Sequence, residues 1–226
     1  MPSNKTALII GASRGLGLGL VQRLQEDGWN IVATVRDPAK APALGAIPGV
    51  QVQTLEMNST EQLDALQAQL AGKRFDLLFV NAGVMGPGDQ NAERVQLADV
   101  GDLFMTNAVS PIRVAQRFAP QLNENGVLAF MSSILGSIAI PDGSEICLYK
   151  ASKAALNSMI NSFVTLQQPP QTVLAMHPGW VKTDMGGENA EIDVLTSTRG
   201  MLEQIKAHEG KGGLHFINYK GDNLIW

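Results

Sequence analysis

The amino-acid sequence predicts an α/β protein, a doubly wound sandwich in which a seven-stranded, mostly parallel sheet carries helices on both faces. Three observations support this prediction. Short apolar runs with strand character alternate with segments of helical periodicity. The strand-like runs are apolar at successive positions, which is typical of strands that are covered on both faces. A glycine-rich turn joins the first strand-like run to the first helical segment, as in a β–α crossover unit.

The first strand is predicted at Thr6–Ile10, where the run TALII is apolar and partly β-branched. Six further strands are predicted on the same grounds at Asn30–Val35, Val50–Glu56, Leu77–Asn81, Val127–Ser132, Thr172–His177 and Leu214–Asn218. Helices are predicted from apolar spacing at Leu16–Asp27, Thr60–Leu70, Asp99–Gln121, Leu148–Leu166 and Val194–Ala207, with a short segment at Pro38–Leu44 that two prolines interrupt. Because no repeat, linker or low-complexity tract divides the chain, residues 1–226 are predicted to form one domain.

The composition narrows the classes of function. The net charge is −4 and no basic run is present, which argues against nucleic acid and acidic membrane surfaces as partners. The single cysteine, Cys147, excludes an internal disulfide and suits a reducing compartment. No signal-peptide pattern is present, and no apolar stretch approaches the roughly 20 residues that span a bilayer. We therefore expect a cytoplasmic protein without a membrane segment.

The glycine-rich turn GASRGLG, from Gly11 to Gly17, predicts a diphosphate-binding site. Glycines at a strand-to-helix turn allow the backbone to approach a diphosphate, and the amides and dipole of the new helix favour its negative charge. The first gap between glycines is one residue wider than in the usual dinucleotide fingerprint, and a purely structural turn is the alternative. The candidate cofactor-binding residues of this turn are Gly11, Ser13, Arg14, Gly15, Leu16 and Gly17.

Two arginines predict which dinucleotide binds. An acid after the second strand favours the free ribose 2′-hydroxyl, whereas an arginine accommodates a 2′-phosphate. Here Arg36 follows the second strand directly, and Arg14 supplies a second cation for a charge-assisted contact. Asp37 lies one position further on and is expected to face solvent or to cap the next segment. The alternative is that both arginines are ordinary surface charges. We predict that NADP(H) is preferred over NAD(H).

Tyr149, Lys153 and Ser133 predict proton-transfer chemistry. Tyr149 and Lys153 lie four apart on a predicted helix and therefore share a face. An adjacent ammonium favours the phenolate, so Lys153 is expected to lower the pKa of Tyr149 from its ordinary value of about 10. Ser133 follows a predicted strand and would hydrogen-bond a substrate oxygen. Taken singly, a surface Tyr-Lys pair and a strand-ending serine are the alternative interpretations.

These motifs occur in an order that resembles the short-chain dehydrogenase/reductase family over nearly the whole chain. The family pattern is matched by the glycine turn, by NAG at Asn81–Gly83, by Asn107, by Ser133, by YKASK at Tyr149–Lys153 and by HPGWVKTD at His177–Asp184. Within the family the chain is similar to small C-factor-like or sniffer-like carbonyl reductases, as carried by HPGWVKTDMGG, by the helix around Arg199–Ile205 and by the ending FINYKGDNLIW. That branch includes reductases and signalling proteins, so it does not fix a substrate.

The resemblance implies a Rossmann-type fold and a role for each matching residue. Tyr149 would be the general acid or base, Lys153 its partner and a ligand of the nicotinamide ribose, and Ser133 the donor to the substrate oxygen. The backbone of Asn107 would hold a water in a proton relay to Lys153. The cofactor would also contact Asn81, Ala82 and Gly83 beside the adenine ribose and Pro178, Gly179, Val181 and Thr183 beside the nicotinamide. Merely structural roles for Asn107 and for the Pro-Gly turn are the alternatives.

Two departures from the family pattern are apparent. The family's adenine-contacting aspartate is replaced by Asn58, which can both donate and accept hydrogen bonds. The gap between Ser133 and Tyr149 is longer than usual, so residues Ile138–Glu145 are expected to loop over the site. Ser133 is accordingly the best candidate, with Ser132 and Ser137 as fallbacks.

The resemblance implies an NADPH-dependent oxidoreductase that reduces a ketone or aldehyde, reversibly with the alcohol, and acts as a homodimer or homotetramer. The alternative is an NADP(H)-binding sensor or signalling protein with little turnover. The polar segment Met185–Asp193 is expected to be a mobile lid. His177, His208 and His215 lack metal-ligand spacing, so no metal site is predicted. Cys147 is expected to be a buried structural thiol.

Overall fold

The computed structural model describes residues 5–226, so the first four positions of the predicted domain lie outside the described residues. Seven strands form one sheet in the order β3-β2-β1-β4-β5-β6-β7. The strands are β1 Thr6–Ile10, β2 Asn30–Val35, β3 Val50–Thr54, β4 Phe75–Val80, β5 Leu122–Met131, β6 Thr172–His177 and β7 Leu214–Asn218. Every neighbouring pair of these strands is parallel, which makes the sheet fully parallel rather than mostly so.

Helices connect the strands and cover both faces of the sheet. They are α1 Gly15–Glu26, α2 Pro42–Gly45, α3 Thr60–Gln69, α4 Leu97–Phe104, α5 Ser110–Phe118, α6 Cys147–Gln167 and α7 Val194–His208. A π-helical turn at Met105–Val109 joins α4 to α5, so the single helix predicted at Asp99–Gln121 is interrupted. The segment predicted as one short helix at Pro38–Leu44 is a 3-10 turn at Pro38–Lys40 followed by α2. Among the described residues, no helix is long and apolar enough to cross a membrane.

Alternation along the strands builds one apolar core on each face. Leu8 and Ile10 of β1 pack into the core beneath α3, α5 and α6, whereas Ala7 and Ile9 pack into the core beneath α1 and α7. The same division runs through β4, β5 and β6, whose residues are almost all buried. Burial on both faces explains why these strands are continuously apolar in sequence.

The strand order reverses between β1 and β4, which pair with each other in parallel. In an open α/β sheet this reversal opens a crevice at the carboxyl ends of the strands, where ligands bind. The glycine turn follows β1, Asn81–Gly83 follow β4, Ser133 follows β5 and Pro178–Gly179 follow β6. The topology therefore collects the predicted functional segments at one edge of the sheet.

Candidate active site

The glycine turn is packed too closely to admit side chains. Gly11 has φ +87°, and an added Cβ would lie 2.7 Å from the Cβ of Ala82. At Gly17 an added Cβ would lie 2.1 Å from the carbonyl oxygen of Gly11. Asn81 secures the same turn from β4, because its Nδ2 donates to the Gly11 carbonyl at 2.6 Å. The N-cap residue of α1, Arg14, makes no side-chain cap, so the first N–H groups of α1 are left for a ligand.

This cradle fits the diphosphate of a dinucleotide. Glycine is present where a Cβ would collide, and the uncapped helix end presents donors and a positive dipole to an anion. Thr183 lies across the turn, since its Cγ2 would be 3.5 Å from a Cβ added at Gly15. Gly186 donates its N–H to the Thr183 Oγ1 at 3.1 Å, which holds the start of the predicted lid near the glycine turn.

The two arginines predicted to read the 2′-phosphate differ in their surroundings. Arg14 is exposed and its Nη1 lies 2.7 Å from Oδ2 of Asp184, an ion pair that crosses from the glycine turn to the segment after β6. Arg36 is exposed directly after β2. Asp37 caps the next segment, because its Oδ1 accepts the N–H of Ala39 at 3.0 Å. That contact matches the capping role expected for Asp37 and leaves Arg36 as the charge at the strand end.

Ser133, Tyr149 and Lys153 meet at the carboxyl end of β5. The Ser133 side chain lies close enough to the Tyr149 hydroxyl to lower the pKa of the phenol. Lys153 lies one turn further along α6, its Nζ 5.8 Å from the centre of the Tyr149 ring. All three residues are buried. The structure therefore brings the predicted trio together at one place.

The pKa of Tyr149 does not shift in the direction expected from the sequence. Burial raises the pKa of the phenol to about 12, and the neighbouring Ser133 side chain only partly opposes this. The Nζ of Lys153 donates to the carbonyl of Met131 at 2.8 Å. Burial also lowers the pKa of Lys153 to about 8. The lowered pKa expected for the phenol is wrong for the protein alone, because desolvation outweighs the effect of Ser133 and raises the pKa instead.

The fallback serines are engaged elsewhere. Ser132 is buried and its hydroxyl donates to Oδ1 of Asn157 on α6 at 2.6 Å. The Ser137 hydroxyl accepts the N–H of Ile140 at 3.3 Å. Ser133 is the one of the three that is close enough to Tyr149 to affect its pKa, and it also caps a short 3-10 turn through the N–H of Leu135. Ser133 therefore stays the best candidate of the three serines.

Asn107 lies in the π-helical turn and braces the site. Its Oδ1 accepts the N–H of Val84 at 2.8 Å, and its Nδ2 donates to the Val84 carbonyl at 2.8 Å and to Oγ of Ser152 at 3.0 Å. These bonds join the loop after β4 to α6. Gly83 lies between, because a Cβ there would be 3.2 Å from Oδ1 of Asn107 and 3.5 Å from Nζ of Lys153. A π-turn in a helix is a frequent mark of a functional site, and helical periodicity alone does not predict it.

Asn58 does not present a free amide to the cleft. Its Nδ2 donates to Oγ1 of Thr106 at 2.9 Å, and its Oδ1 accepts the Ser110 hydroxyl at 2.7 Å. Both ends of the side chain are thus committed to the helix formed by the π-turn and α5. These bonds hold Asn58 against that helix and leave one donor and one acceptor position of the amide unused, so the contact with adenine stays a prediction.

The turn after β6 is held by close packing. Gly179 has φ +86°, and an added Cβ would lie 2.7 Å from Cδ1 of Ile192. Val181 is buried and bridges to Ile192, which anchors the predicted lid at its far end. The Pro178 carbonyl accepts the Ser197 hydroxyl from α7 at 2.6 Å. These contacts hold Pro178, Gly179 and Val181 against α7 and the far end of the predicted lid.

Three further features of the site were not predicted from the sequence or differ from what it predicts. Gln90 is buried and its Oε1 accepts the backbone N–H of Tyr149 at 2.8 Å. Burial lowers the pKa of His177 to about 4, and its Nδ1 has no hydrogen-bond partner among the described residues. Cys147 is exposed rather than buried, and its Sγ donates to the Gln90 carbonyl at 2.9 Å. The one sequence signal that could have marked Gln90 is its polar side chain, which lies in a stretch for which the sequence predicts no helix or strand.

The loop before Tyr149 is tied to α6. Asp142 lies 2.8 Å from Nζ of Lys150 in α6, and the same ammonium donates to the Asp142 carbonyl at 2.7 Å. The backbone N–H of Ala139 donates to the carbonyl of Trp226 at 3.4 Å. The predicted loop therefore lies between α6 and the carboxyl-terminal segment.

This chain resembles known proteins in both sequence and structure. The family model for short chain dehydrogenases matches residues 5–193. The C-signal of Myxococcus xanthus is 36% identical over 154 residues, covering 67% of this chain and 92% of that protein. A carbonyl reductase from Pseudomonas aeruginosa PAO1, solved in complex with NADP, superposes with a TM-score of 0.93 at 35% identity, covering 99% of this chain and 100% of the other. Carbonyl reductase Sniffer of D. melanogaster superposes with a TM-score of 0.90 at 32% identity, covering 99% and 100%.

Proposed function

Since this chain belongs to the short-chain dehydrogenase/reductase family, we propose that it is an NADPH-dependent reductase of a ketone or aldehyde, running reversibly with the alcohol. The observation that carries the proposal is the placing of buried Ser133 beside buried Tyr149, with Lys153 one turn away, at the sheet edge that also holds the glycine cradle. The preference for NADP(H) is supported by Arg36 after β2 and by relatives that were crystallised with NADP.

The residues of the chain divide the work as follows. The glycine turn and the first N–H groups of α1 hold the diphosphate, and Arg36 pairs with the 2′-phosphate, with Arg14 available when its pair with Asp184 opens. Pro178, Gly179, Val181 and Thr183 bound the nicotinamide side of the cleft. When bound, the cofactor supplies a hydride to the carbonyl carbon of the substrate.

Tyr149 supplies the proton. Because its pKa is raised to about 12 by burial, the phenol is protonated near neutral pH and can donate to the carbonyl oxygen during reduction. Ser133 donates a hydrogen bond to the same oxygen and stabilises the charge that develops there. Lys153, whose Nζ donates to the Met131 carbonyl, adds positive charge beside the phenol and would contact the nicotinamide ribose.

The experiment is to measure loss of NADPH absorbance with a panel of aliphatic and aromatic ketones and aldehydes. We expect saturable NADPH consumption with at least one carbonyl and weaker activity with NADH. Tight NADPH binding with no turnover on any member of the panel would overturn the reductase proposal and favour the sensor alternative. We also propose that residues 1–226 form a single domain, that the protein is cytoplasmic and that it is a homodimer or homotetramer. Light scattering of the purified protein tests the oligomeric state.

A further inference from the structure

The catalytic helix α6 begins without a cap of its own. Its N-cap residue, Ile146, has no side chain that can accept a hydrogen bond. The first N–H groups of any helix lack partners within the helix and need acceptors from elsewhere. Tyr149 is the third residue of α6, so its backbone N–H is one of these groups. The catalytic residue is therefore in the least self-supported turn of its helix.

Gln90 supplies the missing acceptor from a distant loop. Its Oε1 accepts the Tyr149 N–H at 2.8 Å, across a separation of 59 residues. The backbone carbonyl of the same residue accepts Sγ of Cys147 at 2.9 Å. One loop residue thus contacts α6 at two positions of its first turn.

The carboxamide of Gln90 is itself fixed. Its Nε2 donates to the Met85 carbonyl at 2.9 Å and to the Pro87 carbonyl at 3.3 Å. With both donors committed to carbonyls, the oxygen must face α6, because the reversed amide would set donors against the Tyr149 N–H. Gln90 is only 4% exposed, so water does not replace these bonds readily.

Tyr149 is consequently anchored at both ends. Its ring is buried with the hydroxyl beside Ser133 after β5, and its backbone N–H bonds to Gln90. The loop that carries Gln90 leaves β4 at Asn81–Gly83, the segment that also packs against the glycine turn. Gln90 therefore connects the cofactor edge of the sheet with the start of the catalytic helix.

We propose that Gln90 is a positioning residue for Tyr149, whose carboxamide caps the first turn of α6 and so sets the depth and orientation of the phenol. This inference rests on the proposed function only for its catalytic readout. The contact determines where Tyr149 lies whether or not the substrate is a carbonyl. Without the cap, the first turn frays, the ring tilts from Ser133 and water reaches the hydroxyl.

The test uses Gln90→Met, which keeps the volume and removes both donor and acceptor, and Gln90→Glu, which keeps an acceptor for the Tyr149 N–H. Gln96→Met is the matched control, since Gln96 is an exposed residue further along the same loop whose Nε2 donates only to the Arg94 carbonyl. For Gln90→Met we expect kcat to fall about 10- to 100-fold with the KM for NADPH nearly unchanged, because a small misplacement of a reacting group has that effect. Gln90→Glu should recover most of the loss, and Gln96→Met should match the wild type.

A second readout needs no substrate. The chain has two tyrosines, so in a Tyr219→Phe background Tyr149 is the sole phenol. A stopped-flow pH jump that follows tyrosinate absorbance reports the pKa of Tyr149, which burial raises to about 12, before the fold opens. We expect Gln90→Met to bring this pKa down toward the ordinary value of about 10, since the phenol gains access to water.

The outcomes are separable. An unchanged Tyr149 titration together with unchanged kcat in a folded Gln90→Met protein would overturn the positioning role. Equal losses in Gln90→Met and Gln90→Glu, accompanied by equal losses of thermal stability and no change in titration, would show a merely structural residue and overturn it as well. If the wild type reduces no carbonyl but Gln90→Met still shifts the titration, the proposed function fails and the positioning role stands.

Discussion

At the scale of single residues, burial has the largest effect on the ionisable groups of the site. It raises the pKa of Tyr149 to about 12 and lowers that of Lys153 to about 8. The neutral form of each residue is therefore favoured relative to water. A protonated phenol suits proton donation during reduction, and Lys153 keeps its charge only below about pH 8. In a solvent-exposed pair of the same two residue types, burial would not dominate the pKa shifts. Their spacing alone therefore did not predict the direction in which the pKa of Tyr149 shifts.

Replacing Arg36 tests the choice of cofactor. We expect Arg36→Ala to weaken NADPH binding about 10- to 100-fold while NADH binding changes less than about twofold, because a charge-assisted bond to the 2′-phosphate is lost. Lys40→Ala is the control, since Lys40 is an exposed cation in the same segment. Binding is measured by the fluorescence of the reduced nicotinamide. Equal weakening of both cofactors would remove the phosphate-binding role from Arg36.

At the scale of elements, close backbone contacts build the cradle. The turn after β1 is compressed between α1 and the end of β4, with Gly11 against Ala82 and Gly17 against the Gly11 carbonyl. Backbone atoms in such contacts cannot retreat as a flexible side chain can. The glycines are therefore required by space as well as by conformation.

Substituting Gly17 tests this requirement. The added Cβ of Gly17→Ala would lie 2.1 Å from the Gly11 carbonyl, so the turn must shift. We expect a loss of about 1–3 kcal/mol in the free energy of unfolding, as overpacking typically costs, and a clear loss of NADPH affinity. Gly45→Ala is the matched control, because a Cβ there meets nothing within 4 Å. If Gly17→Ala binds NADPH as the wild type does, the cradle is placed elsewhere.

Sequence patterns predicted elements better than the contacts between them. The bounds of β1, β2, β6 and β7 agree with the predictions because each is an apolar run with polar or glycine neighbours. The π-turn was missed because one extra residue in a helix hardly disturbs its periodicity. The bond from Gln90 to Tyr149 spans 59 residues, and Asn58 is committed to partners on another helix. Such contacts depend on tertiary packing, which no local pattern encodes.

At the scale of the whole molecule, the parallel sheet brings the functional segments together at the carboxyl ends of its strands, and the outer side of its last strand is covered. The carboxyl-terminal segment covers the outer side of β7, where the Asn218 N–H donates to the Asp222 carbonyl at 3.0 Å and the Leu224 N–H to the Phe216 carbonyl at 2.8 Å. An edge strand that is paired in this way offers fewer free groups to other chains. His177 and Ser133 lie at or just after the carboxyl ends of strands in this same sheet.

His177 links the interior to pH-dependent stability. Burial lowers its pKa from 6.5 to about 4, so between these values the unfolded chain binds a proton that the folded chain does not. Stability therefore rises with pH across this window, and as pH falls the loss from this residue reaches about 3 kcal/mol. Urea unfolding of the wild type and His177→Asn at pH 7 and pH 4 measures the difference. A wild type that loses no more stability than the variant would contradict the assignment.

We propose that the hydroxyl of Tyr149 delivers the proton in a reduction driven by NADPH. The most direct test of this proposal is the single-turnover rate of NADPH oxidation by Tyr149→Phe, which keeps the ring and removes the hydroxyl. We expect the rate to fall about 100- to 10,000-fold, the usual contribution of a positioned proton donor, while NADPH affinity is retained. A Tyr149→Phe protein that reduces the carbonyl at the wild-type rate would show that this hydroxyl is not the proton donor.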